Sequence, residues 1–237
     1  MCPLAAQFHS FTALPNSSKG FPGVRIKSGT SRVRSGEFVI IECVAAVIHH
    51  GGRSFLQGAL ESRCATPPAA NYCWFGWLKP GAEGDRDFDP TQAALHPYLP
   101  GSGVEICPSL DYGNVSYKYK ARGAAHGYGY NLHLGQRSIS ISRISRPGDT
   151  VLLADAAQIN DFQAPASPDN PMLEEFYYVD ADDGGGYPNA HFRHRRRANV
   201  VFVDGHVDRE DPVPGSIDAR LPREWVGRIR PEILRLQ

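Results

Sequence analysis

The chain has 237 residues, with 25 basic and 25 acidic side chains and no formal net charge. This length predicts one domain or at most two, and it is enough to bury a core without disulfides. Balanced charge argues against a nucleic-acid-binding protein, which usually shows a basic excess or stripe. The 24 glycines and 19 prolines exceed average usage, which disfavours a helical bundle and favours short strands joined by many turns.

Basic residues precede a short apolar run near the amino terminus. Five lysines and arginines lie between positions 19 and 34, before the first acidic residue, Glu37. The apolar run at 38–48 contains Glu42 and is followed by two histidines and two glycines. It is too short to cross a bilayer, so we expect no stable membrane span. We predict a basic, poorly ordered leader-like segment at 1–37 and a single domain at 38–237.

The five cysteines leave the redox compartment open. An odd number leaves at least one thiol free, and the chain has no C-x-x-C pair. Cys64 and Cys73 could form a disulfide in an exported chain, whereas a set of buried thiols explains all five equally well.

Short strands and turns are predicted through the second half of the chain. The apolar run at 150–155 predicts a buried strand that ends in a carboxylate, Asp155. Residues 198–203 predict another strand, and Asp204-Gly205 is a strong signal for a hairpin turn. The return strand would start at His206, so this hairpin could bring His194, Asp204 and His206 near one another. Such a group could bind a metal or supply a general base, or it could simply pin the turn through a His–Asp hydrogen bond.

An acidic segment precedes this hairpin. Asp180, Asp182 and Asp183 lie close together before three consecutive glycines. Like charges repel unless a cation or solvent relieves them, and carboxylate oxygens on a flexible loop are ligands that Ca²⁺ prefers. The alternative is a solvated acidic turn. The arginine-rich run at 193–197 could contact an anion or be neutralised by these aspartates, and one short run does not predict a nucleic-acid partner.

Several of these segments resemble the prepilin-like family, which includes the pseudopilins of type II secretion. His194 stands ten positions before Asp204-Gly205, which matches the H-X9-DG signature of the carboxy-terminal part of such chains. Phe38 and Glu42 resemble the first and fifth residues of a prepilin helix, although Glu37 stands where that family has glycine. Four further segments look similar, at 106–109, 127–131, 144–155 and 199–207.

The resemblance implies an α+β fold, with an amino-terminal α-helix packed on an antiparallel β-sheet. It implies Ca²⁺ in an acidic loop, for which Asp180, Asp182 and Asp183 are the counterparts, with another divalent metal as the alternative. It also implies export or membrane association, and self-association or pseudopilin partners in a secretion or pilus-like fibre. The altered processing site favours a chain that stays soluble.

Two functions are expected from these features. The first is a non-catalytic, calcium-binding, pseudopilin-like protein. The alternative is a Ca-dependent hydrolase of lactones or esters such as N-acyl-homoserine lactones, a small-molecule activity that the resemblance also suggests. Its catalytic residues would be His194, Asp204 and His206, near a Ca²⁺ that polarises the carbonyl. The site would be non-standard, because the Gly-x-Ser-x-Gly nucleophile elbow and the His-x-His-x-Asp-His motif are missing.

A third hypothesis is a surface-binding module for carbohydrate or peptide. Trp74 and Trp77 would form its aromatic platform, together with tyrosines of the middle segment. A buried core cluster is the alternative for such residues.

Overall fold

The computed structural model describes residues 71–73, 76–93, 96, 107–122, 127–136, 143–181 and 186–236. Most regular structure in these segments is β-strand. The strands, in chain order, are β1 (Asn71–Cys73), β2 (Gly76–Leu78), β3 (Phe88–Asp89), β4 (Tyr117–Lys118), β5 (Tyr128–Asn131), β6 (Val151–Asp155), β7 (Gln158–Asn160), β8 (Met172–Glu174), β9 (Tyr178–Val179), β10 (Ala190–His191), β11 (Ala198–Phe202), β12 (Val207–Glu210) and β13 (Val226–Gly227).

Helical structure in the described segments is limited to short pieces. The single α-helix among them, α1 (Leu132–Gln136), has five residues. Single 3-10 turns occur at Pro90–Gln92, Pro147–Asp149, Pro222–Glu224 and Pro231–Ile233. Each of these turns begins at a proline, which fixes φ near a helical value and lacks the N–H that a first turn leaves unpaired.

The predicted α+β class, with an amino-terminal α-helix packed on an antiparallel β-sheet, is wrong. The described residues form four β-sheets and one short helix, so this part of the chain is β-rich. Two strand pairs, β4 with β8 and β5 with β9, are parallel rather than antiparallel. Frequent glycine and proline interrupt the chain before a long helix can form. The segment at 38–64, where the helix was expected, lies outside the described residues.

The largest sheet among the described residues has five strands, in the order β12-β11-β6-β5-β9. All five residues of β6 and of β11 are buried. Strands covered on both faces read as continuous apolar runs, which is how β6 was predicted from the sequence, whereas β11 was predicted only as a strand. The hairpin turn at Asp204-Gly205 is also confirmed, since β11 and β12 pair antiparallel on either side of it and Gly205 takes a φ of 91°.

The main core lies between this sheet and the carboxy-terminal segment. Burial of these apolar side chains is the dominant favourable contribution to the stability of the domain. The members of this core cluster are Val151, Ala154, Ala156, Val179, Ala190, Phe192, Ala198, Val200, Phe202, Ile229, Ile233 and Leu234.

A second sheet, β4-β8-β7, carries a buried network of charges. Lys118 is 2% exposed and Glu174 is fully buried, and their side chains form an ion pair. Glu83 is a further partner of Lys118, while Lys120 lies 3.4 Å from Glu174. The carboxylate of Glu174 also accepts hydrogen bonds from Gln158 and Asn160. Every oxygen of this buried carboxylate therefore has a partner, as burial of a charge requires.

We expect Gly129→Ala to lower the free energy of unfolding by about 1–3 kcal/mol, because overpacking in a tight core forces backbone shifts. A Cβ at Gly129, in the middle of β5, would lie 2.7 Å from the Cβ of Ala156 and 2.8 Å from the carbonyl oxygen of Tyr178. Urea denaturation measures the loss. Gly113→Ala is the matched control, since its Cβ would meet only the Asp111 carboxylate at 3.4 Å. An equal change in the two variants would contradict the tight packing of β5 against β9.

Candidate functional site

Four side chains from distant parts of the sequence form a buried cluster, which we call the Cys-Asp-Arg-His cluster. Its members are Cys107, Asp155, Arg193 and His194. Cys107 begins a turn in which the Leu110 N–H donates to its carbonyl at 3.1 Å. Asp155 is the last residue of β6, in the centre of the five-stranded sheet. Both Cys107 and Asp155 are buried residues.

Arg193 and His194 reach the cluster from a tight turn between β10 and β11. The His194 N–H donates to the Arg197 carbonyl at 3.0 Å, and the Arg197 N–H donates back at 3.3 Å. Arg195 and Arg196 take left-handed φ values of 57° and 64°. The turn thus places residues 193 and 194 against the end of β6, whereas the side chains of Arg195 and Arg196 are exposed.

Asp155 is the central acceptor of the cluster. One carboxylate oxygen accepts from the Arg193 guanidinium, and the other accepts from the Asn199 backbone N–H at 2.7 Å. That second oxygen also lies 3.3 Å from Nε2 of His194. The residue is 1% exposed. A buried carboxylate is tolerated only when it is paired and hydrogen-bonded in this way.

Arg193 connects the thiol, the carboxylate and the backbone. Its Nε donates to Sγ of Cys107 at 3.1 Å, and Nη2 donates to Asp155 and, at 2.7 Å, to the Gly127 carbonyl. Its Nη1 donates to Nδ1 of His191 at 3.2 Å. The side chain is only 3% exposed. The planar fork of arginine suits such a site because it presents several donors in fixed directions.

Each charged form in the cluster is stabilised by the oppositely charged groups beside it. Burial lowers the pKa of His194, but hydrogen bonds to Asp155 and Cys107 outweigh burial and raise that pKa to about 9. Burial raises the pKa of Asp155, and the charge of Arg193 with the His194 hydrogen bond brings it below its usual value. In the same way His194 and Arg193 outweigh burial and lower the pKa of Cys107. With the thiol ionised, two anions balance two cations.

His191 behaves differently from His194, although the two are close in sequence. Burial, together with the nearby positive charge of Arg193, lowers the pKa of His191 to about 3. The neutral ring accepts the hydrogen bond from Arg193 through Nδ1. His191 therefore serves as an acceptor that holds the guanidinium in place.

The cluster could hold a metal ion. Sγ of Cys107, a carboxylate oxygen of Asp155 and a ring nitrogen of His194 all lie within 4.8 Å of one another. Sulfur and nitrogen are ligands of transition metals rather than of Ca²⁺, which takes oxygen. The donor set therefore does not fit the calcium expected from the sequence.

The sequence-predicted catalytic residues lie at two ends of one strand. His194 is in the buried cluster before β11, whereas Asp204 and His206 form the exposed turn after it. With about 3.4 Å per residue, the five residues of β11 separate these ends by about 17 Å. At the turn, Nδ1 of His206 donates to the Asp204 carboxylate at 2.6 Å, and the ring stacks on Phe202 with centroids 4.2 Å apart.

The predicted calcium ligands are described only in part. Asp182 and Asp183 lie outside the described residues. The Asp180 carboxylate is 3.0 Å from Nε2 of His133 in helix α1. Calcium at this loop stays a prediction.

Sequence reasoning did not assign Cys107, Asp155 and Arg193 to the site. The signals that could have found them are their local sequence positions. Cys107 precedes a proline, Asp155 ends a buried strand, and Arg193 comes directly before His194. A charged residue at the end of a fully apolar strand requires a buried partner, and the sequence alone does not say which cation supplies it.

Of the two tryptophans expected to form the aromatic platform of a surface-binding module, the structure describes one. Trp77 in β2 is half-buried, and Trp74 lies outside the described residues.

No family model, curated protein or solved structure matches this chain. Among the residues that the structure describes, no helix is both long enough and apolar enough to cross a membrane.

Proposed function

We propose that this chain is a non-catalytic, pseudopilin-like protein that acts by assembling with copies of itself or with pseudopilin partners. The supporting observation is the burial of His194, the first residue of the H-X9-DG signature. Its side chain is 8% exposed and pairs with a fully buried carboxylate. A histidine in this setting stabilises the packing of β6 against the 193–197 turn. A catalytic base, in contrast, would have to be accessible to substrate.

The signature segments support the same proposal by their positions. Cys107, Gly127, Asp155 and Arg193 belong to or adjoin the segments that resemble pseudopilins, and Arg193 contacts the other three. The pattern in the sequence therefore corresponds to one packed unit. Export of the chain and Ca²⁺ at the loop around Asp180 belong to this proposal as expectations from the family resemblance.

A hydrolase remains the second candidate because of one observation at the hairpin turn. The Asp204 carboxylate orients the His206 imidazole, and both side chains are nearly half exposed. A carboxylate–imidazole pair open to solvent is an arrangement used in general base catalysis. The surrounding groove is also lined by two ion pairs, Arg146 with Asp149 and Arg230 with Glu210.

One experiment on the purified full chain separates the two candidates. Sedimentation velocity is measured over a range of protein concentrations, with chelator and after Ca²⁺ is restored, beside hydrolysis of an N-acyl-homoserine lactone and an aryl ester. We expect concentration-dependent association that Ca²⁺ strengthens, and hydrolysis at the rate of buffer alone. A chain that stays monomeric and turns over substrate would overturn the proposal.

Variants at the hairpin turn locate any activity that is found. Asp204→Asn and His206→Gln change exposed side chains and should leave the fold intact. If the wild type hydrolyses substrate and both variants do not, the hydrolase candidate is correct and the site is the turn. If all three are equally inactive, the assembly proposal stands.

A further inference from the structure

We propose that the Cys-Asp-Arg-His cluster is a binding site for a zinc-class transition metal, with Cys107, Asp155 and His194 as its three protein ligands.

The spacing of the ligand atoms is compatible with a shared metal as well as with the hydrogen bonds of the metal-free cluster. Nε2 of His194 lies 3.6 Å from Sγ of Cys107 and 3.3 Å from Oδ2 of Asp155. A charged N–H···O bond is usually about 2.7–2.9 Å long. In a tetrahedral site with zinc-like bond lengths, the sulfur–nitrogen separation is about 3.6 Å and the nitrogen–oxygen separation about 3.3–3.4 Å. One nitrogen thus faces two acceptors at the separations of metal ligands.

The groups around the three ligands would orient them. Arg193 donates to Sγ of Cys107 at 3.1 Å and to Oδ1 of Asp155, whereas Oδ2 is the oxygen 3.3 Å from His194. The Asn199 N–H donates to Oδ2 at 2.7 Å. Donors on ligating thiolates and carboxylates fix their orientation, and such outer contacts change metal affinity about 10–100-fold.

The donor set selects the class of metal. Thiolate and imidazole favour Zn²⁺ and related transition metals, and a site with one carboxylate oxygen excludes the six to eight oxygen ligands of Ca²⁺. The thiolate and the neutral imidazole are the forms that bind the metal. Three protein ligands leave one position of the tetrahedron for another donor. This site is distinct from the calcium loop expected around Asp180.

Cobalt is the probe, because a thiolate ligand gives Co²⁺ an intense charge-transfer absorption that oxygen and nitrogen ligands do not. The full chain is stripped with chelator and titrated with Co²⁺, and zinc content is measured after dialysis against Zn²⁺. We expect a thiolate band that saturates near one equivalent and about one zinc ion per chain.

A matched pair of variants assigns the thiolate. Replacing the four other cysteines together, by Cys2→Ser, Cys43→Ser, Cys64→Ser and Cys73→Ser, leaves Cys107 alone and should retain the band. Cys107→Ser in the otherwise natural chain should lose it and reduce the bound zinc to background. A folded Cys107-only variant without the band would overturn the proposal, and so would unchanged zinc content in Cys107→Ser.

The result does not depend on whether Cys107→Ser folds, since the Cys107-only variant carries the decisive measurement. It is also independent of the proposed assembly function. A chain that associates but binds no metal would support the assembly proposal and overturn the metal site. A chain that binds metal but stays monomeric would support the metal site and overturn the assembly proposal.

Discussion

Asp155→Asn is expected to lower the free energy of unfolding by about 3–5 kcal/mol, the usual cost of removing one partner from a buried ion pair. The substitution keeps the shape of the side chain and removes its charge. It leaves the Arg193 guanidinium, 3% exposed, and the His194 imidazole without the carboxylate that both contact. Water cannot replace that partner, because Asp155 is 1% exposed at the end of the central strand.

Urea denaturation of the full chain at neutral pH measures this effect. Asp211→Asn is the matched control, since Asp211 makes two hydrogen bonds to Arg197 while 67% of its side chain is exposed. An exposed ion pair contributes at most about 1 kcal/mol. If the two variants lose similar amounts, the Cys-Asp-Arg-His cluster does not stabilise the fold.

Glu174→Gln should give the second-largest loss, about 3 kcal/mol at pH 7. The variant leaves Lys118, which is 2% exposed, with Glu83 as its remaining carboxylate partner. Lys120 loses its ion pair altogether. Because Glu83 still pairs with Lys118, we place the loss at the lower end of the range for buried pairs. Asp87→Asn, at an exposed ion pair with Lys79 and Arg122, should change stability much less.

The difference in stability between the wild type and Glu174→Gln should depend on pH. Burial raises the pKa of Glu174, but the charges of Lys120 and Lys118 outweigh it and bring the pKa below its usual value of 4.5. A carboxyl with a lowered pKa in the folded state stabilises the protein above its unfolded pKa, and this contribution is lost as the pH falls through the folded pKa. The difference between wild type and Glu174→Gln should therefore be constant above about pH 5 and shrink in acid. A difference that grows as the pH falls would contradict the ion pair.

Local patterns in the sequence predicted the centre of the large sheet. The apolar run of β6 identifies a buried strand, residues 198–203 identify the strand β11, and Asp204-Gly205 identifies the hairpin that follows. These features depend on residues that are close in the chain, so local chemistry predicts the two strands and the turn.

Contacts between distant segments could not be predicted in the same way. Cys107 and Arg193 are 86 residues apart, and Lys118 and Glu174 are 56 residues apart. The parallel pairing of Tyr130 with Tyr178 likewise depends on the path of the intervening chain. The wrong fold class has another origin, since it was taken from the prepilin-like resemblance as a whole. The described residues contain mainly short strands and proline-started turns, and the segment at 38–64 lies outside them.

His194 belongs to the packed interior, and the direct test of this role compares the two histidines at either end of β11. The free energy of unfolding is measured by urea denaturation for His194→Gln and His206→Gln, in chelator so that metal plays no part. We predict a loss of at least about 2 kcal/mol for His194→Gln, which removes hydrogen bonds between charged, buried groups. For His206→Gln, at an exposed ion pair, we predict less than about 1 kcal/mol. Equal losses, or a larger loss at His206, would contradict a structural role for the signature histidine.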